Sequence, residues 1–330
     1  MPDERQLTFK SAILEGLAEE MRADPRVVIL GEDVGAAGGV FGQTEGLLAE
    51  FGQTRVIDTP ISEAAILGTA VGATMTGLRP LVEIMFGDFI TLVMDQLVNQ
   101  AAKLRYMSAG SMGVPLVLRT AAGVGSNLGP QHSQSLHAWL AHVPELKLVM
   151  PATPYDAKGL IKAALRDHDP AVFFENRNSY NISGPVPEED YSLPIGKAEI
   201  KRDGRDVSLI TIGAALQPAL AAAGALEERG ISAEVVDVRS LVPLDRETII
   251  ASVKKTSRAL VVDLGHENFG VTGEVASMIG KDAFDDLDAP VERLGAPDLP
   301  IPLARSLEPL AQPGAGQITG RVLGMLGAGM

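Results

Sequence analysis

The sequence contains no cysteine, and its aromatic residues amount to 4%, with a single tryptophan. Without cysteine there is no disulfide framework, no thiolate zinc site and no cysteine nucleophile, and the composition fits a reducing compartment. Basic residues are in deficit too: 28 Lys and Arg face 42 Asp and Glu, a formal net charge of −14. A chain of that sign repels phosphate backbones, so no nucleic-acid partner is expected. Long apolar runs are also missing. The Ala-rich stretch 214–226 is broken by Gln217, Pro218 and Gly224, short of the roughly 18 consecutive apolar residues of a membrane helix. The opening MPDERQLTFKSAILEGL places Asp3, Glu4 and Lys10 among its apolar positions, unlike a signal peptide, and the expected location is cytoplasmic.

What is present is a chain of 330 residues, 46% apolar, enough for about two globular domains. Up to about residue 177, β-branched runs alternate with amphipathic stretches. The runs are RVVIL (26–30), RVID (55–58), RPLVEIM (79–85), VPLVLRT (114–120), LKLVM (146–150) and AVFFE (171–175). The helical stretches lie near 7–23, 62–77, 88–109, 133–142 and 154–167. Such alternation predicts βαβ units on a doubly wound, mostly parallel sheet, and runs apolar at nearly every position suit strands covered on both faces. Residues 178–196 concentrate Gly, Pro, Ser and Asn without a period, the composition of a linker. Beyond it a smaller α/β unit is expected, with strands near 206–212, 233–238, 258–263 and 290–294 and helices near 214–229, 245–255 and 270–282. The acidic stretch KDAFDDLDAP (281–290) reads as a solvated loop.

GVGSNLG (123–129) is a GxGxxxG pattern whose third glycine comes one position late for a dinucleotide fingerprint, and no acidic residue ends a strand about 20 residues on. A nicotinamide dehydrogenase would rest on this loop alone. Its glycines nonetheless allow backbone N–H groups to approach a ligand closely. His132, His137 and His142 are five apart, each about 140° round a helix from the next, so they cannot jointly hold a metal. His132 stands out because it follows the glycine-rich loop at a loop-to-helix junction. In DTPISEAAILG (58–68), Ser62 is a plausible N-cap and Glu63 falls in the first helical turn among apolar neighbours. Glu63 either complements the helix dipole or, desolvated, shares a proton in acid–base work.

The segments LGEDV (30–34), RVIDTPISE (55–63), GLRPLVEIMFGDF (77–89), MDQLVNQAAKLRY (94–106), QHSQS (131–135) and 151–176 occur in order. They closely resemble the beta subunit of the thiamine-diphosphate-dependent first component of 2-oxo acid dehydrogenase complexes, of the pyruvate and acetoin dehydrogenase kind. GISAEVVDVRSLVPLDRETIIASVKKTSRALVVD (230–263) is similar to the transketolase C-terminal domain. The resemblance implies a pyrimidine-binding transketolase-like domain over 1–177, a linker over 178–196 and a transketolase C-terminal-like domain over 197–330. It also implies that Glu63 hydrogen-bonds N1′ of the cofactor's aminopyrimidine and that Glu32 is a second carboxylate on a proton-relay path. Ile61, Met85, Phe89 and Leu92 match the wall around the aminopyrimidine, and His132 an active-site histidine that helps acyl transfer to lipoamide. The family's GDG segment, which holds Mg²⁺ against the diphosphate, has no counterpart here. The expectation is therefore no metal site in this chain, Mg²⁺ held mainly by an alpha subunit, an α₂β₂ heterotetramer, and a lipoyl acyltransferase as partner. Asp167 and Asp169 lie where some relatives bind K⁺. The implied reaction is oxidative decarboxylation of pyruvate or a related 2-oxo acid, with acetoin cleavage or a non-catalytic assembly role as alternatives.

Overall fold

The β-branched runs become strands and the amphipathic stretches become helices laid on them in the computed structural model, which describes residues 5–327. The chain packs as two units, residues 5–122 with 139–195 and residues 123–138 with 196–327. In chain order the first half contains β1 (Gln6–Thr8), α1 (Phe9–Ala23), β2 (Val27–Gly31), α2 (Leu47–Phe51), β3 (Val56–Asp58), α3 (Glu63–Met75) and β4 (Arg79–Ile84). There follow α4 (Ala102–Met107), β5 (Val117–Ala122), α5 (His137–Ala141), β6 (Lys147–Val149), α6 (Pro154–Arg166), β7 (Ala171–Asn176) and β8 (Ser183–Pro185).

In the first unit six parallel strands run in the order β6-β7-β5-β4-β2-β3, and β1 pairs antiparallel with β8. From β2 the chain goes to β3 on one side and then to β4 on the other, so the strand order reverses there. In open α/β sheets such a reversal leaves a crevice at the carboxyl ends of the strands, where ligands bind. Thr8 starts α1 by accepting the Ser11 N–H (3.2 Å), and Phe9, Ile13, Leu17 and Met21 recur every four residues as its buried stripe. Thr153 caps α6 in the same way, with Pro154 opening its first turn. The two helices pack so closely that a Cβ on Gly16 would lie 2.9 Å from Ile161 Cγ2. Their apolar faces join Val27, Ile29, Leu81, Val117 and Phe173 of the sheet in one core.

The second unit contains β9 (Glu199–Arg202), β10 (Val207–Thr211), α7 (Leu216–Glu227), β11 (Ala233–Asp237), β12 (Ser240–Val242) and α8 (Arg246–Thr256). It ends with β13 (Ala259–His266), α9 (Val271–Asp282), β14 (Glu292–Ala296) and α10 (Ala315–Met325). Its sheet runs β14-β13-β10-β11-β9, parallel except for β9 at the edge. No helix among the described residues is long and apolar enough to cross a membrane.

Two expected helices differ. The stretch 88–109 is a 3-10 turn (Gly87–Leu92), a π-helical segment (Asp95–Ala101) and then α4. The Thr91 hydroxyl donates to the Asp88 carbonyl at 3.0 Å, within a turn that closes through three-residue bonds rather than the α ladder. The stretch 133–142 is helical only over α5, and residues 123–138 belong to the second unit.

Candidate active site

β2 ends at Gly31, where a Cβ would lie 2.9 Å from the Glu83 carbonyl oxygen, and the chain leaves the sheet through Glu32 and Asp33. β3 ends at Asp58, whose carboxylate accepts the N–H groups of Gly35 (2.6 Å) and Ala36 (3.0 Å) and so pins the loop after β2. A short link then enters α3, with Glu63 as its first residue. Ser62 stands at the N-cap, but its hydroxyl makes no cap bond and donates instead to the Pro60 carbonyl at 3.2 Å. Its backbone N–H is used differently, donating to the carboxylate of Glu32.

That bond sets Glu32 beside the first turn of α3, close enough to Glu63 for the two charges to repel. Burial, then the Glu63 charge, push the Glu32 carboxyl above the ordinary range, against the Ser62 N–H, which lowers it. One Glu32 oxygen is buried with no hydrogen-bond partner among the described residues. Such an oxygen is a place for a proton or for a donor on a ligand. Glu63 itself is half-buried.

Ile61, two residues before Glu63, is 83% exposed, and Leu92 is 52% exposed, large apolar side chains with nothing over them in this chain. The 3-10 turn that ends in Leu92 packs against α3. Met85 and Phe89 are half-buried after β4. Phe89 meets Phe86 edge-on at 5.6 Å, Phe86 meets Phe41 edge-on at 5.9 Å, and the Arg177 guanidinium lies 5.4 Å from the Phe86 ring. Phe41, Phe86 and Arg177 were not sequence candidates. Phe86 could have been found from its place after β4, at the reversal of strand order. Phe41 also packs on Tyr180, whose hydroxyl donates to Glu175 at 2.7 Å. Glu175 and Glu83 flank the fully buried Arg119.

The structure thus brings Glu32 and Glu63 together in the first unit, while His132 belongs to the second. His132 is half-buried in a loop and its N–H donates to the Gly129 carbonyl at 3.4 Å. The glycine-rich loop before it is not open to a dinucleotide. The N–H groups of Gly125 and Asn127 donate to the carboxylate of Glu308, so the chain supplies its own anion there.

Among the described residues no three acidic or histidine side chains converge on a possible metal position. The segment at Asp167 and Asp169 is filled by protein cations. Lys147 reaches Asp167 (2.6 Å) and Asp169 (3.2 Å), Arg105 pairs with Asp169, and Arg79 donates to the carbonyls of Leu165 (2.8 Å) and Asp167. Burial raises the Asp169 carboxyl, but hydrogen bonds from Arg105 and Lys147 hold it below the ordinary range. These oxygens are engaged by Lys147, Arg105 and Arg79.

Comparison with known proteins matches residues 5–183 to the transketolase pyrimidine-binding domain and residues 196–318 to the transketolase C-terminal domain. The chain is 46% identical to the acetoin:2,6-dichlorophenolindophenol oxidoreductase subunit beta of Bacillus subtilis (strain 168), over 98% of each chain. It is 48% identical to the 2-oxoisovalerate dehydrogenase subunit beta of the same strain, over 92% of this chain and 93% of that one. Identity to the pyruvate dehydrogenase E1 component subunit beta of Rhizobium meliloti (strain 1021) is 45%, over 96% of this chain and 69% of that one. Among solved structures, a split gene transketolase, an inactive beta4 tetramer, superposes with a TM-score of 0.79 over 98% of this chain and 99% of that one. At 20% identity that likeness concerns the fold.

Proposed function

This chain belongs to the transketolase-like beta subunits of the 2-oxo acid and acetoin dehydrogenases, and from that membership we propose a specific reaction for it. Together with an alpha subunit, in an α₂β₂ heterotetramer, it decarboxylates pyruvate or a related 2-oxo acid with thiamine diphosphate and reductively acylates a lipoyl acyltransferase. Thiamine diphosphate, when bound, supplies the carbon nucleophile and the electron sink for decarboxylation.

The observation that carries the reading is the half-buried pair of Glu32 and Glu63 at the carboxyl end of the sheet. Glu63 would hold N1′ of the aminopyrimidine through a shared proton, and Glu32, already inclined to keep a proton, would relay it. Ile61, Met85, Phe89 and Leu92 exclude water around that hydrogen bond and so strengthen it. His132 donates or accepts a proton during acyl transfer. Mg²⁺ is held mainly by the alpha subunit. In this reading residues 1–177 bind the pyrimidine, 178–196 link, 197–330 form the C-terminal domain, and the enzyme works in the cytoplasm. A second reading, cleavage of acetoin, is favoured by the acetoin-named relative, which matches end to end.

The test is reconstitution with an alpha subunit and measurement of CO₂ released from pyruvate in the presence of the acyltransferase. Glu63→Gln is expected to lower kcat by about 10²- to 10⁴-fold, the usual weight of positioned proton transfer. Undiminished turnover in that variant would return the chain to a scaffolding role. Acetoin-dependent turnover without pyruvate turnover would select the second reading.

A further inference from the structure

We propose that Glu308 is a positioning residue for His132, its buried carboxylate fixing the loop that carries the histidine; the catalytic part of this rests on the role given to His132 above. Glu308 is 4% exposed and opens a 3-10 turn that runs to Ala311. One of its oxygens accepts the N–H groups of Gly125 and Asn127, each at 3.0 Å, and the other accepts Asn127 at 3.1 Å. The backbone is shaped for this. Gly125 has φ 116° and Asn127 φ 53°, left-handed conformations that turn nearby N–H groups into one concave nest for an anion. Below the nest, Val124, Ile301 and Ala311 form a small buried apolar cluster that ties the loop to the segment bearing Glu308.

The far end of the loop is anchored as well. His137 Nε2 lies 2.7 Å from Asp263 Oδ2, with both side chains 2% exposed. A Cβ on Gly265 would come within 2.8 Å of His137 Cε1, so β13 passes close against the imidazole. His132 sits between these anchors, three residues beyond Gly129 and five before His137. Bonds from N–H groups to a carboxylate are among the stronger ones a loop can make. Removing the Glu308 carboxylate leaves two loop donors without their acceptor and frees the near end of the histidine's support.

The experiment uses the reconstituted complex with Glu308→Ala and Glu308→Gln, which retains one acceptor oxygen, each alone and combined with His132→Ala. Amide hydrogen exchange around 125–127 is expected to quicken about tenfold or more in Glu308→Ala and less in Glu308→Gln, the loss of roughly one charge-assisted bond. The rest of the second unit should exchange as before. Acyl transfer should fall in kcat with KM for the 2-oxo acid unchanged, and Glu308→Ala should add no further loss to His132→Ala. Normal exchange at 125–127, or losses that multiply in the double variant, overturns the proposal. If His132→Ala loses turnover and Glu308→Ala does not, this inference alone fails. If His132→Ala loses nothing, the role given to His132 fails first.

Discussion

Glu32 keeps its proton more tightly in the folded chain than in the unfolded one, because burial and the Glu63 charge both oppose ionisation. Its ionised form therefore carries a penalty that is absent below the unfolded pKa and develops as pH rises through the folded value. Glu32→Gln removes that penalty. The variant should melt higher than the parent at pH 8, with the gain shrinking toward pH 4; an equal gain at both pH values would assign the effect to packing. Arg119 presents the opposite case. Burial lowers its affinity for a proton, but the Glu175 and Glu83 charges outweigh this and keep the guanidinium ionised. Arg119→Met would strand two carboxylates in the sheet, at a cost on the order of 3–5 kcal/mol, measurable by urea denaturation. The Glu32–Glu63 juxtaposition could be suspected from two acidic residues that each follow a strand. The Arg119 triad could not, because its members lie on β4, β5 and β7, far apart in the chain.

At the scale of elements, α1 and α6 join by charge as well as by apolar packing. The Lys158 ammonium, fully buried, meets Glu15 at 2.7 Å and Glu19 at 2.8 Å, while Lys162 pairs with Glu19 and Arg166 reaches Glu20 at 2.6 Å. Burial raises the Glu15 carboxyl, yet hydrogen bonds from Arg5 and Lys158 hold it below its ordinary value. Its contribution is thus present above the unfolded pKa and is lost as pH falls through the folded one. Lys158→Met should cost about 2–3 kcal/mol at neutral pH, the lower side of a broken buried pair because both carboxylates keep contact with water. Thermal melts at pH 7 and pH 4 check this, since the deficit should narrow in acid. The helices themselves were legible from their apolar stripes and caps. The short strands β1, β8, β9 and β12 were not, since three or four residues of mixed burial carry no period.

At the scale of the molecule, Ile61 and Leu92 lie uncovered, Ile61 two residues before Glu63. This chain alone is expected to retain thiamine diphosphate and Mg²⁺ poorly, and the reconstituted complex to retain them well, by titration calorimetry of each. Tight binding by the isolated chain would remove the need for a shared site. Because Arg79, Arg105 and Lys147 occupy the Asp167–Asp169 segment, the complex should melt at the same temperature in KCl and NaCl of equal concentration.

The alternation of the longer strands and helices, the acidic net charge, the candidate residues and the family resemblance came from the linear sequence, because periodicity, capping residues and contiguous motifs are local properties. Only the tertiary structure decided that Glu32 and Glu63 share one environment, that Glu308 fills the glycine-rich loop and that His137 pairs with Asp263. Those partners stand 31, 183 and 126 positions apart or nearly so along the chain. Contacts across such separations are set by how sheets and loops pack, which no local pattern of residues encodes.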